Sequence, residues 1–393
     1  MKRFVKLNKY DFTNASRTKR ELEVITELTE DITVFVRSNR SFEYSTTEGY
    51  RIVEQPFITI SKNNKSPINI IRNIGSWCSL IRKQEADCIS CHDIELLLLA
   101  WLANLFSTKK ALLIYDSQEF ELGRNTGKRR SAVTTWIIKK LEGFLSRRVA
   151  FTIAVSDTIA DQIQSIHRLK SRPLVVRNIP NYWDLDQPSI ESTRQNLLTM
   201  LDRDPSDCFL VMYQGALMAG RGLETLLEAI SLNKDTTLVV LGGGSQEYID
   251  SLTQMIDRLN IKDSVLLHPY VSMDVLPNFT AAADCGMITI PPVSLSYYYM
   301  LPNKLFENIQ ALTPVIVSDF PDSGGLVTRL GIGLTCDPTN PQAISDCIDR
   351  MHEDIEQYQL FKRNLRDAKE QLCWENERVV LLEAYREILV DAT

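Results

Sequence analysis

Short apolar runs alternate with amphipathic stretches along nearly the whole chain, and this pattern predicts parallel strands joined by crossover helices. In the first half the periodicity predicts helices over 16–30, 68–83, 94–106, 130–146 and 157–166. It predicts strands over 32–37, 51–53, 57–60, 88–90, 111–115, 151–155 and 174–177. The alternation restarts at 209–214. Strands then follow over 237–241, 264–267, 285–290 and 315–318, with helices over 223–231, 246–259, 274–282, 303–310, 341–351 and 357–372. The last segment, 377–389, repeats Val379, Leu382, Tyr385 and Leu389 at helical spacing.

Between the two series lies a polar stretch with Pro180 and Pro188, a short helical segment over 193–201 and turn residues over 202–207. The pattern therefore predicts an α/β protein of two doubly wound units: a first domain over 1–190, a linker over 191–207, a second domain over 208–373 and a terminal helix over 374–393. A sheet of this kind binds ligands beyond the carboxyl ends of its strands, so the strand-to-helix loops carry the candidate chemistry.

With 393 residues, 44% hydrophobic and 24% charged, the chain has the profile of a folded two-domain protein. Its longest apolar run, LLLLAWLANLF over 96–106, is about half of the ~20 residues needed to span a bilayer. The start, MKRFVKLNKY, shows no apolar core or cleavage site, and a cytoplasmic location is expected. Residues 1–195 hold 30 Lys+Arg against 22 Asp+Glu, a net +8, whereas the remainder nets -14. A basic first half suits an anionic partner surface. An acidic pI of 5.5 and the absence of any matching motif argue against nucleic acid.

Eight cysteines without framework spacing fit a reducing compartment. Cys88-Ile89-Ser90-Cys91-His92 matches the spacing of covalent haem attachment, but that chemistry belongs to exported proteins and the segment reads as a strand entering a helix. No cofactor and no metal site is expected.

Two loops of the second half stand out. Gly215 to Gly222 is a glycine-rich turn between a strand and a helix, where backbone amides can approach a phosphate and Arg221 adds a charged donor. The segment Leu301-Pro302-Asn303-Lys304-Leu305-Phe306-Glu307 places Pro302 at a helix start and puts Lys304 and Glu307 three residues apart on one side. A surface ion pair is the plain alternative. The apolar remainder of the helix (Leu305, Phe306, Ile309, Leu312) favours a buried helix whose Lys and Glu point into a crevice. Gly242 to Gly244 reads as a turn with Ser245 capping the next helix.

The ordered set YQGALMAGRGLETLLEAI, LVVLGGG, LLHPYV, LPNKLFENIQALTPVIVSDFPDSGGLV and GIGLTCDP resembles the donor domain of GT-B glycosyltransferases, specifically retaining family 4. SCHDIELLLLAWL, LIYDSQE, FTIAVSDTIADQI and VVRNIP resemble acceptor-domain segments of the branch that builds bacterial surface polysaccharides. The resemblance implies a GT-B architecture of two Rossmann-like domains facing a cleft, with the terminal helix crossing back to the first. It implies a nucleoside diphosphate sugar as co-substrate. Gly215, Arg221, His268, Tyr299, Asn303, Lys304 and Glu307 fall at the donor: Arg221 and Lys304 on the diphosphate, Glu307 on the ribose and His268 beside the base. Tyr299 stands where such enzymes carry a carboxylate toward the sugar, and Gln118 stands where the acceptor motif carries a histidine. His92, Asp93, Asp116 and Glu119 are the candidate catalytic residues of the first domain.

The implied reaction transfers a sugar from a UDP- or GDP-sugar to a hydroxyl of a glycan or lipid-linked acceptor with retention. The Asp-x-Asp spacings at Asp184/Asp186 and Asp202/Asp204 lie in the linker, so transfer is expected to be metal-independent, with Arg221, Lys304 and helix amides in the metal's place. The basic segment over 128–148, with Trp136, Ile137, Ile138, Leu141, Phe144 and Leu145, is either a core-packed helix or a contact with an anionic membrane at the inner face of the plasma membrane. A sugar-nucleotide 2-epimerase of the same fold and a catalytically silent assembly subunit are the alternatives.

Overall fold

The computed structural model describes residues 2–9, 12, 15–38, 41–56, 67–124, 130–204, 208–233 and 235–391. It divides into two compact units. One comprises Met1–Arg177 with Arg378–Thr393, and the other comprises Asn178–Glu377.

The first unit is built on an eight-stranded sheet in the order β3-β4-β2-β1-β5-β6-β7-β8. Its strands are β1 (Arg3–Asn8), β2 (Asp31–Ser38), β3 (Phe42–Ser45), β4 (Arg51–Pro56), β5 (Cys88–Cys91), β6 (Leu112–Ser117), β7 (Phe151–Ala154) and β8 (Leu174–Val175). All pairs are parallel except β3 with β4. The sequence pattern shows neither β1 nor β3, and the expected strand over 57–60 lies outside the described residues. β1 escapes a pattern search because its buried face carries Lys6, which is fully buried and hydrogen-bonds Ser90 Oγ at 3.0 Å and Glu21 Oε2. A lysine holds a central-strand position only with such a partner set. Helices α1 (Ser16–Thr26), α2 (Pro67–Lys83), α3 (Ile94–Leu105), α4 (Ala132–Ser146) and α5 (Asp157–His167) link the strands. Asp93, Ser131 and Ser156 cap α3, α4 and α5 by accepting from backbone amides of the first turn.

The sheet of the second unit runs β11-β10-β9-β12-β13-β14, parallel throughout. The strands are β9 (Phe209–Gln214), β10 (Thr236–Leu241), β11 (Val265–His268), β12 (Cys285–Ile288), β13 (Val315–Ser318) and β14 (Gly333–Cys336). Chain direction across the sheet reverses between β9 and β12, which opens a crevice at their carboxyl ends. Residues expected as a linker are partly helical: α6 (Gln187–Met200) is capped by Asp186 and buries Leu197 and Leu198 against Leu210 and Met212 of β9. Residues 205–207 of that expected linker lie outside the described residues. Around the sheet lie α7 (Leu223–Leu232), α8 (Gln246–Leu259), α9 (Leu276–Ala282), α10 (Leu295–Tyr298), α11 (Asn303–Gln310), α12 (Ser323–Leu330), α13 (Pro341–Glu353) and α14 (Ile355–Gln371). Helix α12, which the pattern does not show, is short and begins Ser-Gly-Gly.

The last helix, α15 (Trp374–Arg386), leaves the second unit and ends in the first. There Tyr385 is fully buried, edge-on to Phe4 and Phe151 at 5.7 and 5.5 Å, and its hydroxyl donates to Glu21 Oε1. Among the described residues no helix is long and apolar enough to cross a membrane.

Candidate functional site

The crevice of the second unit is shaped first by glycine. Gly222, at φ 82°, caps α7, and a Cβ there would lie 2.0 Å from the Thr289 carbonyl beyond β12. Only glycine permits both that backbone conformation and that approach. The loop after β9 is further stitched to its neighbours by Gly215 N–H to Leu241 O at 2.9 Å and Leu217 N–H to Gly243 O at 2.9 Å. Gly242 and Gly244 each bring their backbone against this loop, where a Cβ would meet the Gly215 or Leu217 carbonyl. The triple glycine is therefore a packing surface as well as a turn, and Ser245 caps α8 as expected.

Two cationic side chains here each carry a buried nitrogen with no hydrogen-bond partner among the described residues. Lys304, in the first turn of α11, is buried, and its Nζ lies 3.9 Å from the centroid of the Tyr213 ring. Among the described residues that Nζ has no hydrogen-bond partner, and neither has the buried Nε of Arg221. The Arg221 guanidinium sits 5.0 Å above the Tyr297 ring. Burial, and then the neighbouring Arg221 charge, lower the Lys304 ammonium to about 7 against the opposing pull of Glu307. Two desolvated like charges side by side are unfavourable until an anion joins them. The start of α11 adds backbone amides, since Pro302 at its N-cap supplies no side-chain acceptor.

Glu307 does not form the simple ion pair with Lys304. Its Oε2 accepts from Gln214 Nε2, and Gln214 Oε1 in turn accepts from Thr280 Oγ1 at 3.0 Å. Gln214 ends an otherwise apolar strand, FLVMYQ, and that abrupt polar ending was the available signal for a site residue. Asn303 is exposed and accepts from Asn178 Nδ2 at 2.9 Å. Half-buried His268 ends β11, with Nδ1 2.9 Å from the Pro269 carbonyl and its ring 5.1 Å from Phe279. Tyr299 closes α10 with its ring 5.3 Å from Tyr298, which packs on Phe320. Gly215, at φ 134°, starts the glycine-rich loop after β9.

In the first unit the expected residues gather at the carboxyl ends of β5 and β6. His92, Asp93, Gln118 and Glu119 line a cavity of about 40 Å³, together with Tyr115, Ser117, Glu121 and Arg124. His92 is buried with both ring nitrogens against backbone: Lys9 N–H donates to Nε2 at 3.3 Å, and Nδ1 faces the Leu7 carbonyl at 3.2 Å. Burial lowers its imidazole to about 4, so it is neutral with the proton on Nδ1. Asp93 accepts from Leu96 N–H at 2.9 Å and pairs with Lys9 at 3.2 Å. Asp116 is buried; burial alone would raise its carboxyl, but Arg17, Lys6 and Gln118 outweigh it and hold it at about 2. Arg17 grips both Asp116 oxygens at 2.7 to 3.1 Å. Glu119 is exposed and pairs with Arg124 at 2.9 Å. A second buried cluster that sequence reading did not single out joins Tyr115, Glu142 and His167, with both side-chain contacts to Glu142 at 3.0 Å.

Residues 203–368 match the family described as Glycosyl transferases group 1. No curated protein matches the chain. Solved structures match it from end to end at low identity. HepE of Anabaena in complex with UDP aligns with a TM-score of 0.75 at 15% identity, over 98% of this chain and 99% of that one. Sucrose-phosphate synthase from Thermosynechococcus elongatus aligns at 0.78 and 15%, over 100% of both chains. A glycosyltransferase from Rickettsia africae aligns at 0.74 and 16%, over 99% of both. With a group 1 glycosyltransferase domain on the crevice-bearing unit and this shared frame around it, the chain is a glycosyltransferase of GT-B fold.

Proposed function

We propose that the chain transfers a sugar from a nucleoside diphosphate sugar, UDP- or GDP-linked, to a hydroxyl of a glycan or lipid-linked acceptor, with retention and without a metal, as in the retaining family 4 branch of surface-polysaccharide synthesis. The observation that carries this reading is the pair of buried, unpartnered nitrogens, Arg221 Nε and Lys304 Nζ, beside the start of α11. A diphosphate satisfies both cations and the helix amides at once, and its charge grows as the sugar leaves. Glu307 is placed to accept from ribose hydroxyls. HepE, solved with UDP and with UDP-glucose, supports a uridine donor. The aspartates that a metal-dependent route would draw on are otherwise placed: Asp186 caps α6, and Asp202 lies in a left-handed turn at φ 52°.

The membrane reading rests on α4. Val133, Trp136 and Ile137 are 67%, 60% and 52% exposed beside exposed Lys139 and Lys140, while Glu142, Gly143, Leu145 and Ser146 face the core. An apolar and aromatic face left exposed among the described residues, flanked by lysines, suits an anionic headgroup layer and a lipid-linked acceptor presented there. Lys128 and Arg129, counted in the same segment, lie outside the described residues.

A thermal-shift series with UDP, GDP, ADP and their glucose conjugates tests the donor site. At least one diphosphate raises the melting temperature by mass action, and indifference to all of them ends the reading. With donor alone, slow hydrolysis or no reaction is expected, whereas an epimerised sugar would assign the 2-epimerase activity instead. The anomeric proton coupling of the product reports retention, and undiminished turnover in chelator reports metal independence. Flotation with phosphatidylglycerol vesicles at low salt tests α4: binding is expected to weaken in W136A, and no binding by the unaltered chain removes the membrane from the proposal.

A further inference from the structure

Gln214 is a buried side chain that the proposed donor chemistry does not use directly, yet its amide bridges two other elements. It sits at the last position of β9 and is 5% exposed. Its Nε2 donates to Glu307 Oε2 on α11, and its Oε1 lies 3.0 Å from Thr280 Oγ1 on α9, whose single proton it shares with the Leu276 carbonyl, also at 3.0 Å. The orientation of this amide is dictated by its neighbours. A carboxylate only accepts, so the NH2 end must face Glu307 and the oxygen must face Thr280. Thr280 is itself held: it is 1% exposed, and its carbonyl accepts from Thr313 Oγ1 at 3.0 Å. A chain of buried hydrogen bonds thus runs from Thr280 through Gln214 to one oxygen of Glu307.

We infer that Gln214 is a positioning residue for the donor's ribose: it fixes the rotation of the Glu307 carboxylate that meets the ribose hydroxyls. The inference rests on the donor reading above. Half-buried Glu307 stands on the first turns of a helix whose Lys304 serves the diphosphate, so a shift of its carboxylate changes the handling of ribose without touching the phosphate contacts. A bidentate acceptor for vicinal hydroxyls depends on such alignment, because each misdirected oxygen loses a charge-assisted hydrogen bond.

The experiment compares, by titration calorimetry, the best-bound ribonucleoside diphosphate among UDP, GDP and ADP with its 2′,3′-dideoxy analogue. The unaltered chain is expected to prefer the ribo ligand by roughly tenfold or more. Gln214→Leu is expected to lose most of that preference by weakening the ribo ligand alone, leaving the dideoxy ligand unchanged. Thr280→Val, which removes the other end of the relay while preserving shape, shifts the same ratio in the same direction by a smaller factor. Gln214→Asn, carrying the amide on a shorter stem, restores part of the preference. Equal weakening of both ligands overturns the proposal in favour of a merely structural role, and an unchanged ratio in Gln214→Leu and Thr280→Val overturns it as well. Failure of the unaltered chain to bind any of the three diphosphates overturns the donor reading and this inference with it. Binding without ribo preference overturns the inference while leaving the donor reading intact.

Discussion

Both units carry buried or half-buried charged side chains near their central strands, but the two sets are wired differently. In the first unit each such group is already answered. Asp116 is clamped by Arg17, Asp93 caps α3 and holds Lys9, His92 has backbone on both nitrogens, and Lys6 is shared by Glu21 and Ser90. In the second unit Lys304 Nζ and Arg221 Nε are buried without an acceptor. A paired buried charge becomes costly only when one partner is removed, whereas an unpaired one costs stability until a ligand arrives. The contrast separates residues that hold a sheet end together from residues proposed to receive an anion.

The largest test of that contrast is Arg17→Met, which strands the Asp116 carboxylate in the core. Chemical denaturation is expected to show a loss of about 3–5 kcal/mol. A loss below about 1 kcal/mol would mean that the clamp is dispensable. Lys304→Met is expected to do the opposite: it removes an uncompensated buried charge, so the melting temperature of the ligand-free protein holds or rises, while diphosphate affinity drops by roughly 10- to 100-fold. A destabilised variant that still bound UDP would collapse the distinction between the two crevices.

The pH dependence sharpens the same point. Lys304 is lowered to about 7 in the ligand-free protein, from 10.5 as the reference value, so between those values the unfolded chain binds more protons and this group makes stability rise with pH. Diphosphate binding restores the ammonium, so affinity is expected to weaken as pH climbs from 7 towards 9, as the site must take up a proton. The groups facing Lys304 in this window are Arg221, Glu307 and Tyr213, and the Tyr213 hydroxyl is pushed up by burial, away from it. Calorimetry in buffers of different ionisation enthalpy reads the proton directly, and Lys304→Met should abolish the slope. The smallest effect belongs to Asp93→Ala, which removes one cap and a partly exposed pair for about 1 kcal/mol.

How much of this was legible beforehand depended on whether local pattern or distant partners decided each element. Strands such as β9 and β13 are apolar on both faces, and α8 and α11 repeat at helical spacing, so their spans follow directly from the sequence. β1 did not, because Lys6 and Asn8 read as a basic terminus until Glu21 and Ser90, distant in sequence, are brought to it. The residues proposed for the donor stand out for the same local reason: Pro302, Lys304 and Glu307 lie within one helical turn or two. Their true partners were not. Lys304 meets Tyr213 and Glu307 meets Gln214, both across the crevice, and only the register of β9 against β12 sets those meetings.

The route of the chain has a consequence for its birth. The first unit is left at Arg177 and completed only by residues from Arg378 onward, among them Tyr385, whose hydroxyl reaches Glu21 in that unit's interior. At a translation rate of roughly 5–20 residues per second, the ribosome needs on the order of 10–40 s to make the intervening segment. Throughout that interval the first unit carries an open seam, with Phe4, Phe151 and Glu21 awaiting a ring not yet synthesised. The second unit, continuous from Asn178 to Glu377, has no such wait. It is the part of the nascent protein that closes on its own, and the older half is finished last.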